Sequence, residues 1–338
     1  MRLRRSDPST PGIRRQRRGR GFSYRTPDGS PVSDPRTRDR IDALVIPPAW
    51  RRVWICPEPD GHIQAVGIDD AGRRQYLYHP EWRRARDEEK HERVLALADR
   101  LPAVREAIGE DLARKGLDRR RVLAAALRMI DRGVFRTGGE EYLEANGSRG
   151  ATTLLRENVR IRGDELTFTY TAKGGLEREL TMRDGELAAV LKSLRRCRAE
   201  TDRLFVCRGG RGWHEIHAGE VNERFKELAG EEFTVKDLRT WNATVLAAVA
   251  LAASDRPTSQ RGRKRAVTAA MREVAEELGN TPTVARKSYV DPRVIAAYEQ
   301  GTTVEAAVRR VGGEGIRTDR DRERIERAVA RMLRRYRA

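Results

Sequence analysis

The chain is poor in what several protein classes require. Its three cysteines, Cys56, Cys197 and Cys207, are odd in number and scattered over 338 residues. That argues against a disulfide framework and suits a reducing compartment, with the thiols packed as small side chains. No stretch approaches 18 uninterrupted apolar residues, so no membrane-spanning helix is expected. The basic N-terminal stretch lacks the apolar centre of a secretory signal. No G-x-x-x-x-G-K-S/T run occurs, which excludes an ATP-driven motor of the P-loop type, and neither Gly138-Gly139 nor Gly209-Gly210 completes a dinucleotide fingerprint. His214-Glu215-Ile216-His217 has the wrong spacing for a helical zinc motif and no cysteine cluster supports it. Asp69-Asp70 lies in a turn sequence and reads as turn chemistry. The sequence therefore predicts no metal and no nucleotide cofactor.

What the chain has in excess is arginine. Lys and Arg total 69 against 51 Asp and Glu, a net charge of +18. Guanidinium groups stay ionised and fork onto phosphate oxygens, so an excess of this size predicts a polyanionic partner, nucleic acid. With 38% hydrophobic residues the chain can still bury a core at this length, and dividing the length by roughly 150 residues per domain predicts about two domains.

Residues 1–40 carry arginines at 2, 4, 5, 14, 15, 17, 18 and 20 among Gly, Pro and Ser, and they read as a basic, flexible arm. Three short strands are expected at Val53–Ile55, His62–Ile68 and Gln75–Tyr78, separated by the turn signals Pro59-Asp60-Gly61 and Asp70-Ala71-Gly72. These assign residues 41–90 to a small antiparallel β domain. From Pro80 the period becomes helical, and residues 91–338 form a second, mostly helical domain. Inside it, Val159–Arg162, Leu166–Tyr170 and Arg178–Thr181 read as a three-stranded sheet with Gly163-Asp164 as a hairpin turn. Helices are expected at about 94–108, 120–132, 184–196, 218–229, 237–253 and 263–279, with a short one from 282 and a last one from 320. The fold class is α+β.

Two pieces of the helical half carry charge at helix boundaries: Lys236-Asp237-Leu238-Arg239-Thr240-Trp241, and Leu278-Gly279-Asn280-Thr281-Pro282 followed by Arg286-Lys287-Ser288-Tyr289-Val290. Each alone has an ordinary reading, as a helix start and as a C-cap leading into a new helix. Upstream lie Phe135-Arg136-Thr137-Gly138-Gly139-Glu140-Glu141-Tyr142 and Asn146-Gly147-Ser148-Arg149-Gly150-Ala151-Thr152-Thr153, then Lys173 on a β-turn. The ordered series Arg, Lys, Arg, Asn, Tyr resembles the type IB DNA topoisomerases, in particular the small poxvirus-type and bacterial branch, from about Ile46 to Tyr298. The resemblance implies the tyrosine recombinase/topoisomerase IB catalytic fold. It also implies relaxation of positive and negative supercoils through a 3′-phosphotyrosyl intermediate, strand rotation and religation.

Chemistry supports that series. Cutting a phosphodiester without a metal requires a nucleophile, positive groups on the phosphorane oxygens and an acid for the leaving 5′-hydroxyl. A tyrosine that retains the strand end as an ester conserves the bond energy, so no ATP is needed. Two guanidiniums can clamp the non-bridging oxygens, and a lysine on a turn can protonate the leaving oxygen. By resemblance Tyr289 is the nucleophile, Arg136, Arg239 and Asn280 hold the phosphate, and Lys173, helped by Arg136, is the acid. Most relatives have histidine at the position of Asn280. An amide still donates a hydrogen bond but carries no charge and gives up no proton.

The resemblance further implies a small domain that caps double-stranded DNA through Arg73, Gln75, Tyr76 and Tyr78, with Tyr142 another contact. Strand alternation puts Gln75 on the opposite face from Tyr76 and Tyr78, which are compatible with DNA contact or with core packing. The expected working unit is a monomer forming a clamp around DNA in the cytoplasm, on the bacterial nucleoid, with no membrane partner. A tyrosine site-specific recombinase is the nearest alternative. It usually has histidine three residues before the second arginine, where this chain has Lys236, and a helical N-terminal domain. A non-catalytic basic DNA-binding protein is the alternative from another class, but all five positions hold competent side chains.

Overall fold

The computed structural model describes residues 3–133, 135–210, 212–254, 257–312 and 318–336, with the side chain of Tyr142 outside the described set. The chain divides into two compact units at Lys90. Among the described residues no helix is long and apolar enough to cross a membrane.

The first unit is built on a five-stranded antiparallel sheet in the order β2-β1-β3-β4-β5. Its strands are β1 (Ile13–Arg18), β2 (Gly21–Arg25), β3 (Arg51–Ile55), β4 (Ile63–Ile68) and β5 (Arg74–Tyr78), and helix α1 (Pro35–Ala43) follows β2. Ile13, Val32, Ile41, Val53, Ile55 and Ala65 form its core. The expectation of a flexible arm over residues 1–40 is corrected here. Ile13 pairs with Ile55, and β1 and β2 make a hairpin turned at Gly19, whose φ of +58° suits glycine. Arginine takes a structural part that composition does not reveal. The Arg15 guanidinium donates to the carbonyls of Ile46, Pro47 and Trp50 and lies 4.1 Å over the Phe22 ring. A side chain that satisfies three backbone acceptors offsets the sparse apolar content of the hairpin.

The second unit contains α2 (Pro80–Leu112, which begins before the Lys90 division), α3 (Arg119–Gly133) and α4 (Glu140–Asn146). A three-stranded meander follows: β6 (Val159–Arg162), β7 (Glu165–Ala172) and β8 (Leu176–Arg183). Then come α5 (Gly185–Arg196), the hairpin β9 (Val206–Gly209) and β10 (Gly212–Glu215), α6 (Ala218–Ala229), α7 (Val235–Ala253) and α8 (Gln260–Leu278). The chain closes with α9 (Pro282–Val284), a π-helical turn (Ala285–Tyr289), α10 (Pro292–Glu299), α11 (Glu305–Arg310) and α12 (Asp319–Arg335). The architecture is α+β, as expected. One apolar core joins α3, α5, α7 and α8 to β7, with Trp241, Phe135 and Phe168 fully buried.

Candidate active site

Arg136 is delivered by a loop with no regular structure, so its position depends on its neighbours. Phe135 anchors the loop in the core, 5.1 Å edge-on to Phe168 and 5.5 Å stacked on Tyr170, both on β7. The next residues are zipped to the segment around Gly150: Ala151 N donates to Arg136 O and Thr152 N to Thr137 O, each at 2.8 Å. The approach is so close that a Cβ on Gly150 would lie 2.6 Å from Gly138 Cα and 2.7 Å from Arg136 O. Gly138 and Gly150, one in each sequence motif, are thus required by backbone-to-backbone contact.

Arg239 sits in the first turns of α7 and is 5% exposed. That end is fixed by Asp237, whose carboxylate accepts from Thr234 N and Oγ1 and, through both oxygens, from Arg93. Tyr289 closes the π-helical turn, where Val290 N reaches back five residues to Ala285 O. A π turn moves a side chain about a third of a turn from its α-helical heading and recurs at functional sites. Thr244 of α7 holds this turn, donating to Tyr289 O and accepting from Asp291 N.

The positive charges converge on the C-terminal end of α8. Arg178 Nη2 donates to Glu277 O, Arg239 Nη2 to Leu278 O and Arg136 Nη2 to Gly279 O. The negative end of the helix dipole thereby offsets the repulsion among the three guanidiniums. Gly279 ends α8 in the left-handed conformation, which turns Asn280 toward Arg136. Asn280 Oδ1 accepts from Arg136 Nη2 at 2.5 Å, and its buried Nδ2 has no acceptor among the described residues.

Arg136, Lys173, Arg239 and Tyr289 all line one cavity of about 360 Å³. Lys173 reaches it from the β7–β8 turn, where Gly174 and Gly175 have φ of +89° and +72°. The Arg239 Cζ lies 5.4 Å from the Tyr289 ring centroid. Burial and the neighbouring Arg136 push the Arg239 pKa down to about 10. Burial alone would raise the Tyr289 pKa, but Arg239 and Arg136 outweigh it and hold the hydroxyl below its ordinary value.

Of the expected catalytic set, all five are brought together, four on the cavity and Asn280 through its bond to Arg136. Sequence reasoning missed Ser148, Lys236 and Arg178. Ser148 and Lys236 line the cavity, and the buried Ser148 Oγ has no partner among the described residues. Both stand inside motifs already singled out, whereas nothing local marks Arg178.

In the first unit Tyr76 and Tyr78 are 37% and 38% exposed and stack with centroids 6.0 Å apart, so they are not core aromatics. Gln75 points to the other face as alternation requires. Gln75 Nε2 and Arg73 Nε both donate to Asp69, whose carboxylate also caps the turn through Arg73 N. Asp69 is therefore turn chemistry. Tyr142 belongs to α4, but its side-chain placement lies outside the described residues. The His214 and His217 motif is divided: His214 Nε2 lies 2.7 Å from Cys207 Sγ and His217 faces Glu140. Burial and nearby Glu220 push the Cys207 thiol up to about 11.

The helical unit thus gathers arginines, a lysine and a tyrosine about one cavity, and an antiparallel β unit precedes it in the chain. The family described as the catalytic core of eukaryotic DNA topoisomerase I matches residues 79–311, and the N-terminal domain of bacterial DNA topoisomerase IB matches residues 21–69. The DNA topoisomerase 1B of Acanthamoeba polyphaga mimivirus is 29% identical over 296 residues, 85% of this chain and 88% of that protein. The chain belongs to the type IB DNA topoisomerase family; it is an isomerase whose substrate is DNA. Among solved structures, the post-cleavage complex of XerH site-specific recombinase bound to palindromic difH substrate is similar over 58% of this chain and 49% of its own. Its TM-score is 0.37 at 18% identity. The pre-cleavage complex with difH covers 63% and 53% at a TM-score of 0.36 and 17% identity, so the chain spans about half the length of those structures.

Proposed function

We propose that this topoisomerase relaxes both positive and negative supercoils by cutting one strand with Tyr289, without ATP or metal. The observation that carries the proposal is the single cavity lined by Tyr289, Arg136, Arg239 and Lys173, in which the guanidiniums depress the Tyr289 pKa. The Tyr289 Oη, its proton released to solvent, attacks the scissile phosphorus and forms a 3′-phosphotyrosyl ester while the bond to O5′ breaks. Arg136 and Arg239 hold the non-bridging oxygens as negative charge grows there. Asn280 Nδ2 and Ser148 Oγ, buried and without a partner among the described residues, are further donors for the same oxygens. Lys173 gives its proton to O5′, the freed end rotates about the intact strand, and attack by the 5′-hydroxyl reverses each step. The first unit, residues 41–90 with its preceding hairpin, caps the duplex through the exposed Tyr76 and Tyr78 with Arg73 and, from the other face of the strand, Gln75, while Tyr142 of the second unit adds a contact. One chain closes on DNA as a monomeric clamp, acting on the nucleoid in the cytoplasm of a bacterial cell.

The test is relaxation of positively and negatively supercoiled plasmid with EDTA present and ATP absent, comparing wild type with Tyr289→Phe. Wild type should relax both and trap a denaturant-stable adduct on the 3′ side of the nick, while Tyr289→Phe does neither. An adduct on the 5′ side, or one retained by Tyr289→Phe, would overturn the reading.

A further inference from the structure

Helix α12 lies beyond residue 311, where the match to the topoisomerase catalytic core ends. From it Arg322 reaches back into the unit. Its Nη2 donates to Asp131 O at 3.0 Å, to Asp131 Oδ1 at 2.9 Å and to Asn242 Oδ1 at 3.0 Å. Asn242 Nδ2 returns a bond to the same Asp131 carbonyl at 3.0 Å. Asp131 is in the last turn of α3, five residues before Arg136, and Asn242 is on α7, three residues after Arg239. One guanidinium thus ties α7, which carries Arg239, to the last turn of α3, from which the loop bearing Arg136 departs.

The tie is reinforced and charge-balanced. Arg105 of α2 forks onto both Asp131 and Glu326, and Arg322 Nε also bonds Glu326. Two arginines face two carboxylates, all with side chains no more than 14% exposed. Arg132, which adds to the field at Asp131, pairs with Asp184 and Asp319. A paired, hydrogen-bonded network of this kind holds one geometry, because each alternative leaves a buried charge unmatched.

We infer that Arg322 is a positioning residue for strand cleavage, setting the spacing of Arg136 and Arg239 through Asp131 and Asn242. The inference rests on the proposed roles of those two arginines. Its effect should fall on the chemical step, since Arg322 is not among the residues lining the cavity, and a displacement near 1 Å can cost on the order of 10²-fold in rate.

The experiment measures single-turnover cleavage of a nicked-release duplex at saturating full-length enzyme, alongside DNA affinity and thermal melting. Arg322→Ala should slow cleavage about 10²-fold with affinity unchanged. Arg322→Lys keeps the charge balance, guards against loss of folding, and should recover part of the rate. The deciding measurement is the double-mutant cycle: Arg322→Ala added to Arg136→Ala or Arg239→Ala should cost much less than it does alone. Full additivity, or a rate unchanged in Arg322→Ala, overturns the inference while leaving the active-site reading intact. If Arg136→Ala and Arg239→Ala themselves cleave at the wild-type rate, the active-site reading fails instead.

Discussion

The guanidinium carbon of Arg239 stands 5.4 Å from the centre of the Tyr289 ring, at the C-terminal end of α8, where Arg136 also donates. A phenol next to two fixed positive charges loses its proton more readily, because the phenolate is the form they stabilise. The Arg239 guanidinium remains charged at neutral pH even though its pKa is lowered to about 10.

It follows that Arg239→Ala moves the Tyr289 ionisation upward. The rate of cleavage against pH should rise at a higher pH in Arg239→Ala than in wild type, besides being lower throughout. An alkaline limb at unchanged pH would show that Arg239 acts on the phosphate alone.

Lys173 sits on a turn made by two glycines of positive φ, which aims it at the cavity. If it is the acid, Lys173→Ala should slow cleavage by on the order of 10²–10⁴-fold. A substrate whose leaving oxygen is replaced by sulfur needs no acid and should restore most of that loss. Equal defects on both substrates would assign Lys173 to phosphate binding.

Gly150→Ala places a methyl 2.6 Å from Gly138 Cα, a backbone neighbour that cannot swing aside. Overpacking of this type costs roughly 1–3 kcal/mol. The melting temperature should fall, and cleavage should fall further because Arg136 O is one of the displaced atoms. A variant with wild-type melting and cleavage would show that the two segments part freely.

Asn280 accepts from Arg136, and among the described residues its Nδ2 has no acceptor. Asn280→His can supply an acceptor and a donor and should keep substantial relaxation. Asn280→Ala can supply neither and should lose about 10- to 10²-fold, the scale of a hydrogen bond to a charged group. Plasmid relaxation time courses separate the two, and complete loss in a folded Asn280→His would refute neutral hydrogen bonding at this position.

Tyr76 and Tyr78 are exposed and stacked on one face of β5 while Leu77 packs inward. Replacing both by Ala should weaken duplex binding without lowering the melting temperature. The salt dependence of the remaining affinity should stay steep, since arginine–phosphate contacts set that slope. A flat response between low and moderate salt would contradict a phosphate-dominated interface.

The order Arg136, Lys173, Arg239, Asn280, Tyr289, the helical periods of α3 and α5 and the apolar run of α7 are local properties, and they were legible. Glycine at 138 and 150 and proline at 282 mark constraints of the backbone itself. The β1–β2 hairpin was not legible, because its stability comes from Arg15 reaching carbonyls more than 30 residues away rather than from an apolar pattern. The same holds for Arg178 and Arg322, which look like solvated surface charges in a chain with so many arginines.

The sequence by itself determined the ordered series Arg136, Lys173, Arg239, Asn280, Tyr289, the α+β class and the excess of positive charge that suits DNA. Tertiary structure alone decided which of the arginines gather at the cavity and which hold backbone or other side chains elsewhere. Three converge on the end of α8, one supports a hairpin, and one joins α3 to α7 from the far end of the chain. The physical reason is that a guanidinium's role depends on its acceptors, and those are brought near by contacts between segments distant along the chain.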